Sequence, residues 1–344
     1  MNAQPERPLH VVSERPVTSW TADELMAMSF PEPTWAVPGL ISEGVNLLAG
    51  PPKVGKSWLS LNLGVSIAAG DPALGSIDVE PGPVLYLALE DTPRRLQSRM
   101  RKVLAGRHAP RGLTLDTYCP PLPTGGVDYI AGWLDEHAGA RLVVIDVFTK
   151  VRGLPPGGVS AYEADYAAIG HVKRLADSYG VPIVLVHHVR KAGAEDFLTE
   201  VSGTNGLAGA ADAVLVLKRG RAEADGVLHV TGRDVTENDY AMTFNADNGA
   251  WNLLDGPAGD HLMQDTRAKI SRFVRDHSDG RKPKEIAEAL QLNPNTVRKT
   301  CTRMAEDGQL RAGADGTYYP PKTGDTDTTV SLLSPRQAEG QYRD

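Results

Sequence analysis

Eight consecutive residues carry the most specific chemistry in the chain: Gly50, Pro51, Pro52, Lys53, Val54, Gly55, Lys56 and Ser57. They fit the pattern G-x-x-x-x-G-K-S/T, in which glycines let successive backbone N–H groups close around a phosphate. Lys56 would reach the β and γ phosphates of a nucleotide as a point charge, and Ser57 would give an oxygen to Mg2+. An apolar run precedes the loop. A helical stretch opening at Lys56 and continuing through Trp58 follows it, so the helix N-terminus adds partial positive charge. ATP with Mg2+ is the ligand this arrangement suits.

Two carboxylates and two histidines stand at comparable places. Asp146 closes Arg141-Leu-Val-Val-Ile-Asp146, where it would hold Mg2+ or a metal-bound water. Glu90 closes Leu85-Tyr-Leu-Ala-Leu-Glu90 and would orient and deprotonate an attacking water. Asp91 beside it would cap the helix opening at Thr92-Pro93. His187 and His188 end another apolar run, at the height of a γ-phosphate. Side chains alternate along a strand, so only one of the pair can face the site. The sequence does not choose between them, and His188 is carried as the catalytic candidate.

Elements must place these residues together. Val45–Ala49, Val84–Leu89, Leu142–Ile145, Val181–Val186 and Ala213–Leu217 are short runs, largely apolar on both faces, as strands of a covered parallel sheet are. Helical stretches at 56–69, 93–103 and 161–179 lie between them, which predicts an α/β fold with crossover helices. Shorter mixed runs at 227–235, 241–244 and 251–254, with Asn248-Gly249 between the last two, predict an antiparallel hairpin added to the sheet edge. Beyond Gly256-Pro-Ala-Gly259 the pattern becomes helical at 261–276, 283–290 and 294–306. Two short runs follow, at 309–311 and 316–320, the order of a winged helix-turn-helix. The expected divisions are a flexible arm at 1–33, an ATPase domain at 34–256, a winged-helix domain at 257–320 and a disordered tail at 321–344.

The phosphate loop, the acidic residue after the next apolar run, Asp146 and the His-His pair resemble the RecA-like ATPase core. Within that group the chain is similar to plasmid RepA-type and DnaB-like hexameric helicases. The more specific stretches are Trp35-Ala-Val-Pro-Gly-Leu-Ile-Ser-Glu-Gly-Val-Asn-Leu-Leu-Ala-Gly50 and Ala88-Leu-Glu-Asp91. The resemblance covers about residues 34–254. It implies a homo-oligomeric ring, a hexamer, with ATP between subunits and an arginine finger from the neighbour. Arg233 matches the arginine of the family's Lys-x-Arg element, while Thr231 stands where the lysine would be; Arg219 and Arg221 are substitutes for that second contact. The resemblance also implies that the loops after Asp146 and His188 face the channel and grip single-stranded DNA. They supply Lys150 and Arg152, and Arg190 and Lys191.

The net charge of −7 argues against a chain that binds DNA over its whole surface, but the charge is segregated. Residues 261–322 hold twelve Lys and Arg against eight Asp and Glu, an excess of +4 that leaves −11 for the rest. In this unit Asn295, Thr296, Arg298, Lys299 and Arg303 would form the exposed face of the second motif helix, suited to duplex DNA. Protein docking is the rival use of such a module. Cys119 and Cys301 are too far apart in sequence and too few for a disulfide framework or a four-cysteine zinc site, and read as small buried residues. The polar, Pro-rich start has no apolar h-region and no run is long enough to span a membrane. A cytoplasmic protein is expected. The function expected is an ATP-hydrolysing motor on DNA, a ring helicase or replication-associated ATPase. The alternatives are an ATP-gated DNA-binding regulator or initiation factor without unwinding, and a RecA-type recombinase.

Overall fold

The five apolar runs all become strands, and they do so side by side. The structure, a computed structural model, describes residues 19–153, 158, 161–188, 205–219, 225–256 and 258–321. Helix α1 (Ala22–Ala27) starts with a capping box between Thr21 and Glu24 but buries none of its residues. A small pair, β1 (Trp35–Val37) and β2 (Ile41–Ser42), leads into β3 (Gly44–Gly50), then α2 (Lys56–Ala69), β4 (Val84–Ala88), α3 (Pro93–Leu104) and β5 (Leu113–Asp116). Next come α4 (Gly126–Glu136), β6 (Leu142–Asp146), α5 (Ala161–Tyr179), β7 (Pro182–His188), α6 (Asn205–Ala210) and β8 (Ala213–Arg219). The antiparallel strands β9 (Asp225–Gly232), β10 (Asn238–Phe244) and β11 (Trp251–Leu253) complete the sheet.

The strand order is β11-β10-β9-β8-β3-β7-β6-β4-β5. From β8 to β5 every pairing is parallel; from β8 outward to β11 every pairing is antiparallel. The hairpin expectation is therefore met at the β8 side. The small pair β1 and β2, the edge strand β5 and the helices α4 and α6 escaped the sequence reading.

Strand alternation builds two cores. Leu142 and Val144 of β6 pack on the α2 and α3 side, together with Tyr86, Val184 and Val186. Val143 and Ile145 pack on the α4 and α5 side, together with Leu85, Leu87, Ile183 and Leu185. Asp146 and His188 continue the first series and His187 the second. This parity decides which polar end residues share a face with the phosphate loop.

Helices α7 (Ala258–Asp276), α8 (Pro283–Leu290) and α9 (Pro294–Glu306) precede an antiparallel pair, β12 (Arg311–Ala312) and β13 (Tyr318–Tyr319). Ile270, Val274, Ile286, Val297, Cys301 and Met304 close a separate core there. Asn293 caps α9, accepting from the N–H groups of Asn295 and Thr296. Both cysteines are buried. Among the described residues no helix is long and apolar enough to cross a membrane. The expected tail lies outside the described residues from 322 onward, as does the arm before residue 19.

Candidate active site

The loop between β3 and α2 needs glycine at both ends. Gly50 has φ +154°, and a Cβ on it would meet the Leu217 carbonyl oxygen at 2.5 Å. Gly55 has φ +114°, and a Cβ there would press on the Trp251 ring at 3.0 Å. Trp251 also donates its indole N–H to the Gly55 carbonyl at 3.3 Å. The Arg219 guanidinium lies over the Phe244 and Trp251 rings, 4.5 and 5.2 Å from their centroids. The antiparallel strands thus buttress the loop from behind, a support the sequence reading did not find. Lys53 and Pro52 are exposed, while Val54 is buried in the core below.

Lys56 is 3% exposed and donates to the carbonyls of Gly50 at 2.7 Å and Pro51 at 2.9 Å. Burial lowers its pKa to about 8, against the pull of Asp146. A buried ammonium with one distant carboxylate lacks the negative charge that a polyphosphate carries.

Asp146 is 6% exposed at the end of β6. Tyr86 donates its phenol to Asp146 Oδ2 at 2.7 Å, and Ser57 lines the same cleft as the carboxylate. Burial raises the Asp146 pKa; the Tyr86 and Ser57 hydroxyls and the Arg99 charge oppose the shift. A serine hydroxyl and a buried carboxylate on one cleft are hard oxygen donors of the kind Mg2+ takes. Glu90 lies two residues past β4 and is half exposed, with His188 Nε2 at 3.9 Å and Lys150 Nζ at 4.0 Å from its two oxygens. Ser57, Ala88, Glu90, Asp91, Arg95, Arg99 and Asp146 line one open cleft of about 490 Å³.

Asp91 does not cap α3. Thr92 does, accepting from the N–H of Arg95. Asp91 turns instead to Arg95 at 3.0 Å and Arg99 at 2.7 Å, because two guanidiniums within reach outweigh one backbone N–H.

Residues 8–194 match the AAA domain family, more than half of the chain. The chain belongs to that family. Among solved structures, this AAA domain resembles one described as an ATPase domain, with a TM-score of 0.51 at 13% identity. That match covers 62% of this chain and 85% of the other. It also resembles a DnaB-like replicative helicase, described with its interactions with primase, with a TM-score of 0.50 at 14% identity. There 62% of this chain covers 57% of the other. At these identities the likeness is one of fold: an α/β fold like that of RecA-type helicase ATPase domains.

The remaining candidates divide. His188 shares the α2 face with Lys56 and Glu90, and burial lowers its pKa with Lys56 assisting. His187 points to the α5 face and is buried, its pKa brought down to about 4 chiefly by burial. Arg152 is held by buried Asp165 at 2.5 Å, which ties it to α5. Arg190, Lys191 and Arg221 lie outside the described residues. Arg233 is not gathered with Lys56 in this AAA domain. It sits beyond β9 at the opposite end of the parallel strands, 3.1 Å from Asp212 and largely exposed. Asn295, Thr296, Arg298, Lys299 and Arg303 are all exposed on α9.

Proposed function

We propose that this AAA domain binds and hydrolyses ATP as a ring-forming, RecA-like motor acting on DNA. The observation that carries the reading is the convergence at one sheet end of a buried lysine, a serine–carboxylate pair and a half-exposed glutamate. Lys56 holds the phosphates, and Ser57 and Asp146 hold Mg2+, which when bound offsets charge on the transferring phosphoryl group. Glu90, half exposed, takes the proton of a water as that water attacks the γ-phosphorus, the bond to the β–γ bridging oxygen breaks and ADP leaves. His188 reads the γ-phosphate at the root of the loop that follows it.

Arg233 is suited to act on a neighbour. Its distance from its own phosphate loop and its exposure support a role in trans across a hexamer interface. Lys150, Arg152, Arg190 and Lys191 belong to the two loops assigned to single-stranded DNA. Lys150 and His188 both approach Glu90, so each loop root touches the base. We read residues 257–320 as a winged-helix module. The exposed polar face of the Asn293-capped α9 and the local excess of positive charge support its contact with duplex DNA.

Phosphate release with and without single-stranded DNA tests the reading. Stimulation by the strand, absent in Lys56→Ala, is the expected result. Hydrolysis indifferent to any nucleic acid would sink the DNA-motor version and leave an ATPase with another client.

A further inference from the structure

Tyr86 is a hydroxyl in the middle of an otherwise apolar strand, and it is 1% exposed. For packing alone phenylalanine would serve, since a buried hydroxyl is costly unless it is bonded. The Tyr86 oxygen joins three elements. It donates to Asp146 Oδ2 on β6 at 2.7 Å, lies 3.1 Å from Ser60 Oγ on α2, and lies 3.4 Å from the Ser57 carbonyl oxygen. A phenol has one proton, and the shortest bond, to a carboxylate, takes it. Ser60, fully buried, is then the donor to the Tyr86 oxygen, which gives a directed chain from Ser60 through Tyr86 to Asp146.

The register explains the reach. Tyr86 pairs with Val144 and Ala88 with Asp146, so Tyr86 and Asp146 are diagonal neighbours on one sheet face. That face carries α2, whose first turn holds Ser57.

We propose that Tyr86 is the positioning residue of the metal carboxylate: it fixes Asp146 against α2 with a neutral donor and leaves its charge for Mg2+. A lysine or arginine in the same place would orient the carboxylate equally well but would cancel the charge the metal needs. Ser60 in turn holds the phenol, so the carboxylate's orientation is referenced to the helix that carries the phosphate loop. The inference rests on the reading of Asp146 as the Mg2+ carboxylate.

The test is calorimetric ATP binding to the full chain, in EDTA and across a Mg2+ titration, for wild type, Tyr86→Phe and Ser60→Ala. Outer partners of metal ligands typically change metal affinity by about 10- to 100-fold. Tyr86→Phe is expected to bind metal-free ATP within about twofold of wild type while its Mg2+ half-saturation rises about tenfold. Ser60→Ala is expected to shift it in the same direction by less, about threefold. A purely structural tyrosine would weaken both bindings together or neither. An unchanged Mg2+ half-saturation in Tyr86→Phe overturns the proposal; should that variant fail to fold, an unchanged value in Ser60→Ala does so. If wild type shows no Mg2+-dependent ATP binding, the function proposed above fails first.

Discussion

Asp146 and Asp212 are two buried aspartates at opposite ends of the same parallel strands, and they are solvated differently. Asp212 precedes β8 with its side chain 7% exposed. It accepts the Val45 N–H at 2.9 Å and pairs with Lys173 at 2.8 Å and Arg233 at 3.1 Å. Asp146 ends β6 and its side-chain bond comes from a neutral hydroxyl, that of Tyr86. Burial of charge is costly without compensation. At Asp212 the chain supplies that compensation with its own cations, and the result is a staple between β3, α5 and the end of β9. At Asp146 no described cation pairs directly with the carboxylate, Arg99 and Lys56 acting only from a distance, and burial raises its pKa. The difference marks one end of the sheet as closed and the other as prepared for a cation from outside.

The largest expected effect sits at the prepared end. Lys56→Ala should reduce ATP hydrolysis by at least about 100-fold, the scale for losing one fixed charge on a transferring group. Its melting temperature should stay near that of wild type, because Lys56 bonds only loop carbonyls. Phosphate release and thermal unfolding measured together check both halves.

His187 gives a second effect, in stability. Its pKa falls from 6.5 to about 4 on folding, so the unfolded chain binds the proton more tightly. Stability is therefore full above pH 6.5 and is lost as pH falls from 6.5 toward 4. The loss is roughly 3–4 kcal/mol at most. Denaturant unfolding at pH 7 and pH 4.5 should show it, and His187→Leu should flatten that part of the profile.

The smallest effect concerns Lys150, 4.0 Å from the Glu90 carboxylate. Both side chains are about half exposed, so the pair is weak. Lys150→Ala should raise hydrolysis without DNA by roughly two- to threefold and reduce the further stimulation by single-stranded DNA. An equal change in both rates would detach Lys150 from the base.

Much of this was readable from local pattern. The strands β3, β4, β6, β7 and β8 are apolar on both faces, and α2, α5, α8 and α9 have the bounds their periodicity and caps predict. The phosphate loop is a contiguous motif, so its residues assemble wherever the chain folds. Short or glycine-broken elements were harder. Leu113–Asp116 is only half-buried at the sheet edge, and Gly125-Gly126 and Gly132 weaken the helical signal of Gly126–Glu136. The contacts that distinguish Asp146 from Asp212 join residues 60 and 167 positions apart, and no local rule reports them. Tyr86 did leave one signal, a hydroxyl inside an all-apolar strand, which demands a partner. Asp91 shows the opposite failure. The local capping rule named it, and the two arginines on the following helix claimed it.

Thermal unfolding of wild type, Asp146→Asn and Asp212→Asn, each with and without Mg2+ and ATP, tests the contrast most directly. Without ligand, Asp146→Asn should melt at or above the wild-type temperature, since an uncompensated buried charge is removed. Asp212→Asn should melt roughly 5–10 °C lower, since Lys173 and Arg233 lose their carboxylate. With Mg2+ and ATP, wild type and Asp212→Asn should gain stability through binding, and Asp146→Asn should gain little beyond what ATP alone gives. An Asp146→Asn protein that unfolds as early as Asp212→Asn, or that keeps the full response to Mg2+, would contradict the account.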